Sequence, residues 1–234
     1  GRDQRRRHVR LADVLGGRAR RRRFNRVDAD DGAVEALFAG AALLGEIGDL
    51  RGTAYTRSNL AAASVEEGRL VEARGIVTEA LTVFREVNDP SGIADALLNL
   101  GTIERQIGEL RDARLHLEEA LAKKRELGQK PGEAAARLAL GNVALDRGEP
   151  SEARGHLEAA EASAREASNR ALLSNALAAL AELQFEHGEY AGARRLAEES
   201  LSLRRELGRR AKVDESRVLL ARIAIENGEV RPAL

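Results

Sequence analysis

The 234-residue chain contains no cysteine, no methionine and no tryptophan, and its aromatics are limited to two tyrosines and four phenylalanines. Without cysteine there is no disulfide framework, no thiolate nucleophile and no cysteine-based zinc site. The lack fits a reducing compartment. With so few rings, burial must come from Leu, Ala, Val and Ile, whose small side chains favour close helix contacts. No stretch approaches the roughly 18 uninterrupted apolar residues of a membrane-spanning helix, and the arginine-rich N-terminus is not followed by the apolar stretch of a signal peptide. We therefore expect a cytoplasmic chain with no membrane partner. Net charge is also lacking, since 38 basic residues balance 38 acidic ones. At 43% hydrophobic and 32% charged, the chain is of the globular class, not the disordered one.

Catalytic signatures are missing as well. There is no GxxxxGK[ST] phosphate loop, no GxSxG elbow, no HExxH and no glycine-rich dinucleotide fingerprint. Acidic pairs such as Glu118-Glu119 and Glu198-Glu199 point different ways around a helix and read as solvated faces. We expect no enzyme, no catalytic residue, no cofactor and no metal.

What is there is a period. Gly68, Gly108, Gly148, Gly188 and Gly228 fall 40 residues apart, as do Ala73, Ala113, Ala153, Ala193 and Ala233, and Leu60, Leu100, Leu140, Leu180 and Leu220. Such self-similarity is the mark of a repeat architecture. After each column leucine comes a small residue (Ala61, Gly101, Gly141, Ala181, Ala221), which lets a neighbouring helix approach closely. The column glycine then ends a first helix, because it adopts positive φ at little cost. A turn follows, as in Gly108-Glu-Leu-Arg-Asp-Ala-Arg114, and a second helix opens with acidic residues near its positive end. Gly128 and Gly208 read as caps of second helices, and Pro90, Pro131, Pro150 and Pro232 all sit where helices begin or turns occur.

Within each predicted helix the apolar spacing has the 3.6-residue period; in one second helix Ala153, Leu157, Ala160 and Ala164 form a single stripe. The alternation of a β-strand is absent. The expected fold is all-α, a superhelical solenoid of stacked antiparallel helix pairs over 32–234. Its units are a partial one at 32–49, full ones at 50–89, 90–129, 130–169 and 170–209, and a partial one at 210–234. Residues 1–31 break the pattern and read as an arginine-rich linker or irregular segment. Because the chain begins at Gly1 and stops partway through a repeat, we expect it to be a piece of a longer protein.

The run of Leu, a small residue, a turn Gly and a later Ala resembles the tetratricopeptide repeat over roughly 50–234. The common form of that repeat is shorter, at about 34 residues. The 40-residue form is similar to that of kinesin light chains, Leu-Gly-Asn-repeat adaptors, and many bacterial regulators and signalling ATPases. It departs from the pattern where the family carries an aromatic early in the first helix (Arg57, Leu97, Arg137, Leu177, Arg217) and a later tyrosine (Ser64, Glu104, Ala144, Gln184, Ala224). HEAT repeats are the competing helical-pair architecture, with looser turns.

Solenoids of this kind bind partners on a concave surface lined by the first helices. Helical phase and the resemblance together place Tyr55, Asn59, Asp95, Asn99, Thr102 and Arg105 there. Later helices add Asn142, Asp146, Asn175, Glu182, Glu186, Glu215 and Arg222. Asn59 and Asn99 share a column; the resemblance implies that asparagine here holds a peptide backbone through its donor and acceptor. The alternative, an asparagine that tethers the next helix or faces water, stays open. More acidic than basic groups lie on this surface, so the expected partner is a protein or peptide that is basic or amphipathic.

Arg2 to Arg26 hold eleven arginines against two aspartates, a net charge of +9 that leaves −9 for the remainder. Such a run can meet phosphates, yet it has one aromatic, Phe24, and no recognition motif, so nucleic acid is not the expected partner. His116 and His156 share a column otherwise filled by Ile76 and Leu196, and two histidines without a third ligand read as partly buried packing. His187 reads as a helix-end residue. The resulting expectation is a non-enzymatic binding scaffold, the arm of a larger bacterial regulatory or signalling protein. The alternative is a sensor or autoinhibitory arm whose output domain lies outside these residues.

Overall fold

The computed structural model describes Leu44 and residues 48–228. The arginine-rich segment, nearly all of the expected partial unit 32–49 and Pro232 lie outside the described residues. Among those described, the elements are α1 (Leu50–Glu66), α2 (Leu70–Glu86), α3 (Pro90–Ile107), α4 (Leu110–Glu126), α5 (Lys130–Asp146), α6 (Pro150–Glu166), α7 (Arg170–Glu186), α8 (Tyr190–Glu206) and α9 (Arg210–Glu226). No strand occurs among the described residues.

Local chemistry sets these ends. Asp49, Asp89 and Asn169 occupy one column and cap α1, α3 and α7, each side-chain oxygen accepting from the backbone N–H three residues on at 2.8, 3.1 and 3.1 Å. A cap of this type contributes about 1 kcal/mol. Gln129 and Arg209, in the same column, make no such bond. Pro90 and Pro150 open α3 and α6, and Pro131 is the second residue of α5, where a missing N–H leaves no helical bond unmade.

The turn glycines that end α1, α3, α5, α7 and α9 all have φ between 73° and 96°. The second helices end in the same left-handed geometry at Gly128 and Gly208, but also at Asn88 (φ 50°) and Ser168 (φ 51°). Asparagine tolerates this conformation through its short polar side chain. Serine is the strained member of the column.

Short connections fold each helix back on the one before, so consecutive helices pack as pairs. Contacts also join α1 to α3, α3 to α5, α5 to α7 and α7 to α9, while no comparable contacts join successive second helices. The odd-numbered helices are therefore the crowded inner layer, and the stack curves toward them. This is an all-α superhelix.

The crowding explains the small-residue column. A Cβ at Gly101 would lie 2.6 Å from Leu117 Cγ and 2.8 Å from the Ala113 carbonyl oxygen, and one at Gly141 would lie 2.6 Å from Leu157 Cδ2. Alanine is accommodated at Ala61 and Ala181, where the residues corresponding to those leucines are Val77 and Ala197 and all four are buried. The same trade recurs nearby: Gly92 faces the Phe84 ring, at 2.3 Å from an added Cβ, whereas Leu172 corresponds to Gly92 and Ala164 to Phe84. Large and small side chains thus alternate so that the backbone spacing stays constant.

The core is a ribbon of three successive apolar clusters running from Ala54 to Ile223. Leu60, Leu100, Leu140 and Leu180 are buried in it, and so are the alanines from Ala73 to Ala193. On the second helices Arg74 pairs with Glu109 at 2.7 Å, Arg114 with Glu152 at 3.1 Å, and Arg154 with Glu189 at 2.7 Å. At Arg74 and Arg154 the Ala-Arg portion of one turn motif thus meets the Gly-Glu portion of the next, while Arg114 bonds the later Glu152 and has the Gly-Glu residue, Glu149, at 3.9 Å. Each such pair is only partly shielded from solvent and individually weak; together they favour the register.

Candidate functional site

Inner-layer helices supply two cavities on the concave wall. The first, of about 210 Å³, lies between α1 and α3 and is lined by Ser58, Ala62, Val65, Asn99, Thr102 and Ile103 among others. The second, of about 340 Å³, lies where α5, α7, α8 and α9 converge, and its lining includes Asn142, Asn175, Glu182, Arg204, Glu215 and Ser216. The first is largely apolar, with the amides of Asn99 and Gln106 and the Glu66 carboxylate among its lining; the second is polar and carries charges of both signs.

The expected concave residues divide into three groups. Asn99, Thr102, Asn142, Asn175, Glu182 and Glu215 line the cavities, although the Thr102 hydroxyl already donates to the Leu98 carbonyl at 2.8 Å. A second group is consumed internally. The Tyr55 hydroxyl donates to Asp89 at 3.1 Å while its ring meets Phe84 edge-on at 4.8 Å; burial, and then the Asp89 carboxylate, hold its pKa above the ordinary value. Asp95 is taken by Lys124. Arg105 and Asp146 pair with each other at 2.8 Å. A third group stands outside both cavities: Asn59 and Glu186 are exposed, and Arg222 lies 4.5 Å above the Phe185 ring. Asn59 and Asn99 thus have different surroundings despite their shared column.

Sequence reasoning missed the contribution of the second helices. Phe84, Lys124, Ala164 and Arg204 occupy one column, and all four are buried. The signal was present, because the stripe through Ala153, Leu157, Ala160 and Ala164 predicts burial at the equivalent positions. Lys124, 3% exposed, donates to Asp95 and to Gln129 Oε1, the latter at 2.7 Å. Arg204, 5% exposed, donates through Nη1 to Ser216 Oγ at 2.8 Å and to the Lys212 carbonyl at 2.9 Å. Burial pulls its pKa below the ordinary arginine value, against the opposing influence of Glu215 and Glu182.

The two histidines of one column have different partners. His116 Nδ1 lies 2.7 Å from Glu104 Oε2; burial raises the Glu104 pKa, with His116 working the other way. Ala144 stands where Glu104 does one repeat earlier, so His156 has instead Glu152 at 3.7 Å. Burial lowers its pKa, helped by Arg137 and Arg114 and opposed by Glu152. His187 follows α7, its Nδ1 2.7 Å from the Leu183 carbonyl. Among the described residues no three His, Asp or Glu side chains are grouped to hold a metal ion, and no helix is long and apolar enough to cross a membrane.

Tetratricopeptide repeat models match residues 52–126, 98–171 and 173–210. No curated protein matches the chain in sequence. Among solved structures, BtubC (BKLC) from P. vanneervenii superposes with a TM-score of 0.72 at 17% identity, covering 87% of this chain and 86% of that one. A signal transduction ATPase with numerous domains from Pyrococcus horikoshii, which has a tetratricopeptide repeat sensor, gives 0.61 at 16% identity over 73% of this chain and 27% of that one. A Rap protein complexed with Competence and Sporulation Factor gives 0.59 at 16% identity over 85% and 59%. At these identities the likeness concerns the fold. The helix pairs on a 40-residue period and the three in-register sequence matches place this chain in the tetratricopeptide repeat family of protein-interaction scaffolds.

Proposed function

We propose that the chain is the interaction arm of a larger bacterial regulatory or signalling protein, and that an extended segment of a partner protein lies along its concave wall. The observation that carries this reading is the placement of three asparagine amides, Asn99, Asn142 and Asn175, in two cavities of one wall. Amides offer a donor and an acceptor together, which is what an extended backbone requires. Internal pairing of Asp95 and Asp146 leaves the acidity of the wall concentrated at Glu182 and Glu186, which favours a partner with a basic group near α7. The Rap protein, similar in fold, is seen complexed with Competence and Sporulation Factor, which supports a bound segment as the ligand.

The test passes a randomised octapeptide pool over the immobilised 234-residue chain. Replacing Asn99, Asn142 and Asn175 together by Ala should lower retention roughly tenfold with an unchanged Tm. Retention equal to the parent's would remove the wall from the site. Glu182→Gln with Glu186→Gln should reduce the share of Lys- and Arg-containing peptides. The ATPase whose sensor is similar in fold favours a second version, in which the same arm reports binding to an output domain of its own chain.

A further inference from the structure

The repeat itself provides the control for Arg204. At the equivalent position two repeats earlier, Lys124 is buried against a carboxylate, Asp95, and an amide oxygen, Gln129. Carried forward by two periods, Asp95 becomes Asn175 and Gln129 becomes Arg209. The carboxylate is replaced by a neutral amide, and the amide acceptor by a second cation. Arg204 nevertheless remains charged, since arginine does not lose its proton in proteins.

Its remaining neighbours do not make up the difference. Nη1 donates to a hydroxyl and a backbone carbonyl. Glu215 is the nearest carboxylate, at 3.8 Å, and it is engaged by Lys212 at 2.8 Å. Nε is buried without a hydrogen-bond partner, and among the described residues Nη2 makes no hydrogen bond. A buried cation short of its counter-charge is costly in an isolated chain. Here it borders a cavity of about 340 Å³ whose wall also carries Asn142 and Asn175.

We propose that Arg204 is a carboxylate subsite: the counter-ion that Asp95 provides for Lys124 is provided for Arg204 by the bound peptide. The guanidinium accepts a planar carboxylate through adjacent N–H groups, a geometry that an ammonium does not match. Asn142 and Asn175 then hold the adjoining peptide amide. Glu182 and Glu215 on the rim select a segment in which a basic group stands beside the acid. The chemistry is shared by an Asp or Glu side chain and by a free C-terminus, and the assignment rests on the groove being a peptide site.

The experiment uses three pools of randomised octapeptides on the immobilised 234-residue chain: one with free C-termini, one with amidated C-termini, and one amidated and free of Asp and Glu. The parent should retain carboxylate-bearing peptides roughly tenfold better than the carboxylate-free pool. Retention from the amidated acidic pool assigns a side chain; retention from the free-terminus pool alone assigns the terminus. Arg204→Gln should erase the preference and leave weaker, indiscriminate retention. Asn175→Asp restores the arrangement seen at Lys124, so it should raise the Tm, which shows the variant folded, and abolish carboxylate preference. Equal retention of all three pools by the parent, or a preference that survives Asn175→Asp, overturns the subsite while leaving the groove reading intact. No retention from any pool overturns both.

Discussion

Lys124 in the α3–α4 pair and Arg204 in the α7–α8 pair sit at one position of the repeat, yet the first bonds a carboxylate directly, while the second has only Glu215 at 3.8 Å, a carboxylate that it shares with Lys212. His116 and His156 differ in a related way, one bonded to the buried Glu104 and the other, with Ala144 at that position of its repeat, near only Glu152 at 3.7 Å. Because the backbone repeats in register, these pairs act as natural substitutions in a constant frame. They show that the scaffold tolerates wide chemical variation at buried positions provided that volumes are exchanged in pairs, as at Gly101 with Leu117 and Ala181 with Ala197.

The strongest way to break this equivalence is to violate the volume exchange. Gly101→Ala places a methyl against a backbone carbonyl that cannot turn aside, and we expect a loss of about 3 kcal/mol by urea denaturation. Gly141→Ala meets Leu157 at Cδ2 and Cγ, while the Ala153 carbonyl stands at an ordinary 3.5 Å, so it should lose less and recover in combination with Leu157→Val. If both alanines are neutral, close approach does not set the column.

Next in size is Asp95→Asn, which makes the Lys124 site resemble the Arg204 site. It leaves an ammonium 3% exposed without its carboxylate. Asp95 is itself half-exposed, which reduces the loss to about 1.5 kcal/mol. A change within about 0.5 kcal/mol, the level of ordinary surface substitutions, would show that Lys124 needs no counter-ion, and the contrast with Arg204 would lose its meaning.

The smallest effect concerns His156. Burial lowers its pKa from the ordinary 6.5, so the unfolded chain binds a proton more tightly than the folded one. Stability from the neutral ring is present above pH 6.5 and is lost as pH falls through the folded value. His156→Leu, the residue found at Leu196, should therefore gain Tm relative to the parent between pH 7 and pH 5. Parallel curves would mean that folding leaves His156 unperturbed.

The sequence by itself determined the period, the fold class and most helix ends. These depend on local chemistry: an apolar stripe every 3.6 residues, a side-chain cap, a glycine in left-handed geometry. Even so, Asn88 and Ser168 adopt that geometry without glycine, because the tight turn between pairs imposes it whatever the residue. The candidate site was legible only in part. Helical phase brought Asn99, Asn142, Asn175 and Glu182 to the wall, but it could not tell that Asp146 is spent on Arg105, or Asp95 on Lys124. Those pairings join residues on different helices at distances set by how each pair is rotated against the next. The tertiary structure alone decided which charges were cancelled, and it left Arg204 buried in the wall of the 340 Å³ cavity with its Nε unbonded and its nearest carboxylate, Glu215, 3.8 Å away and shared with Lys212.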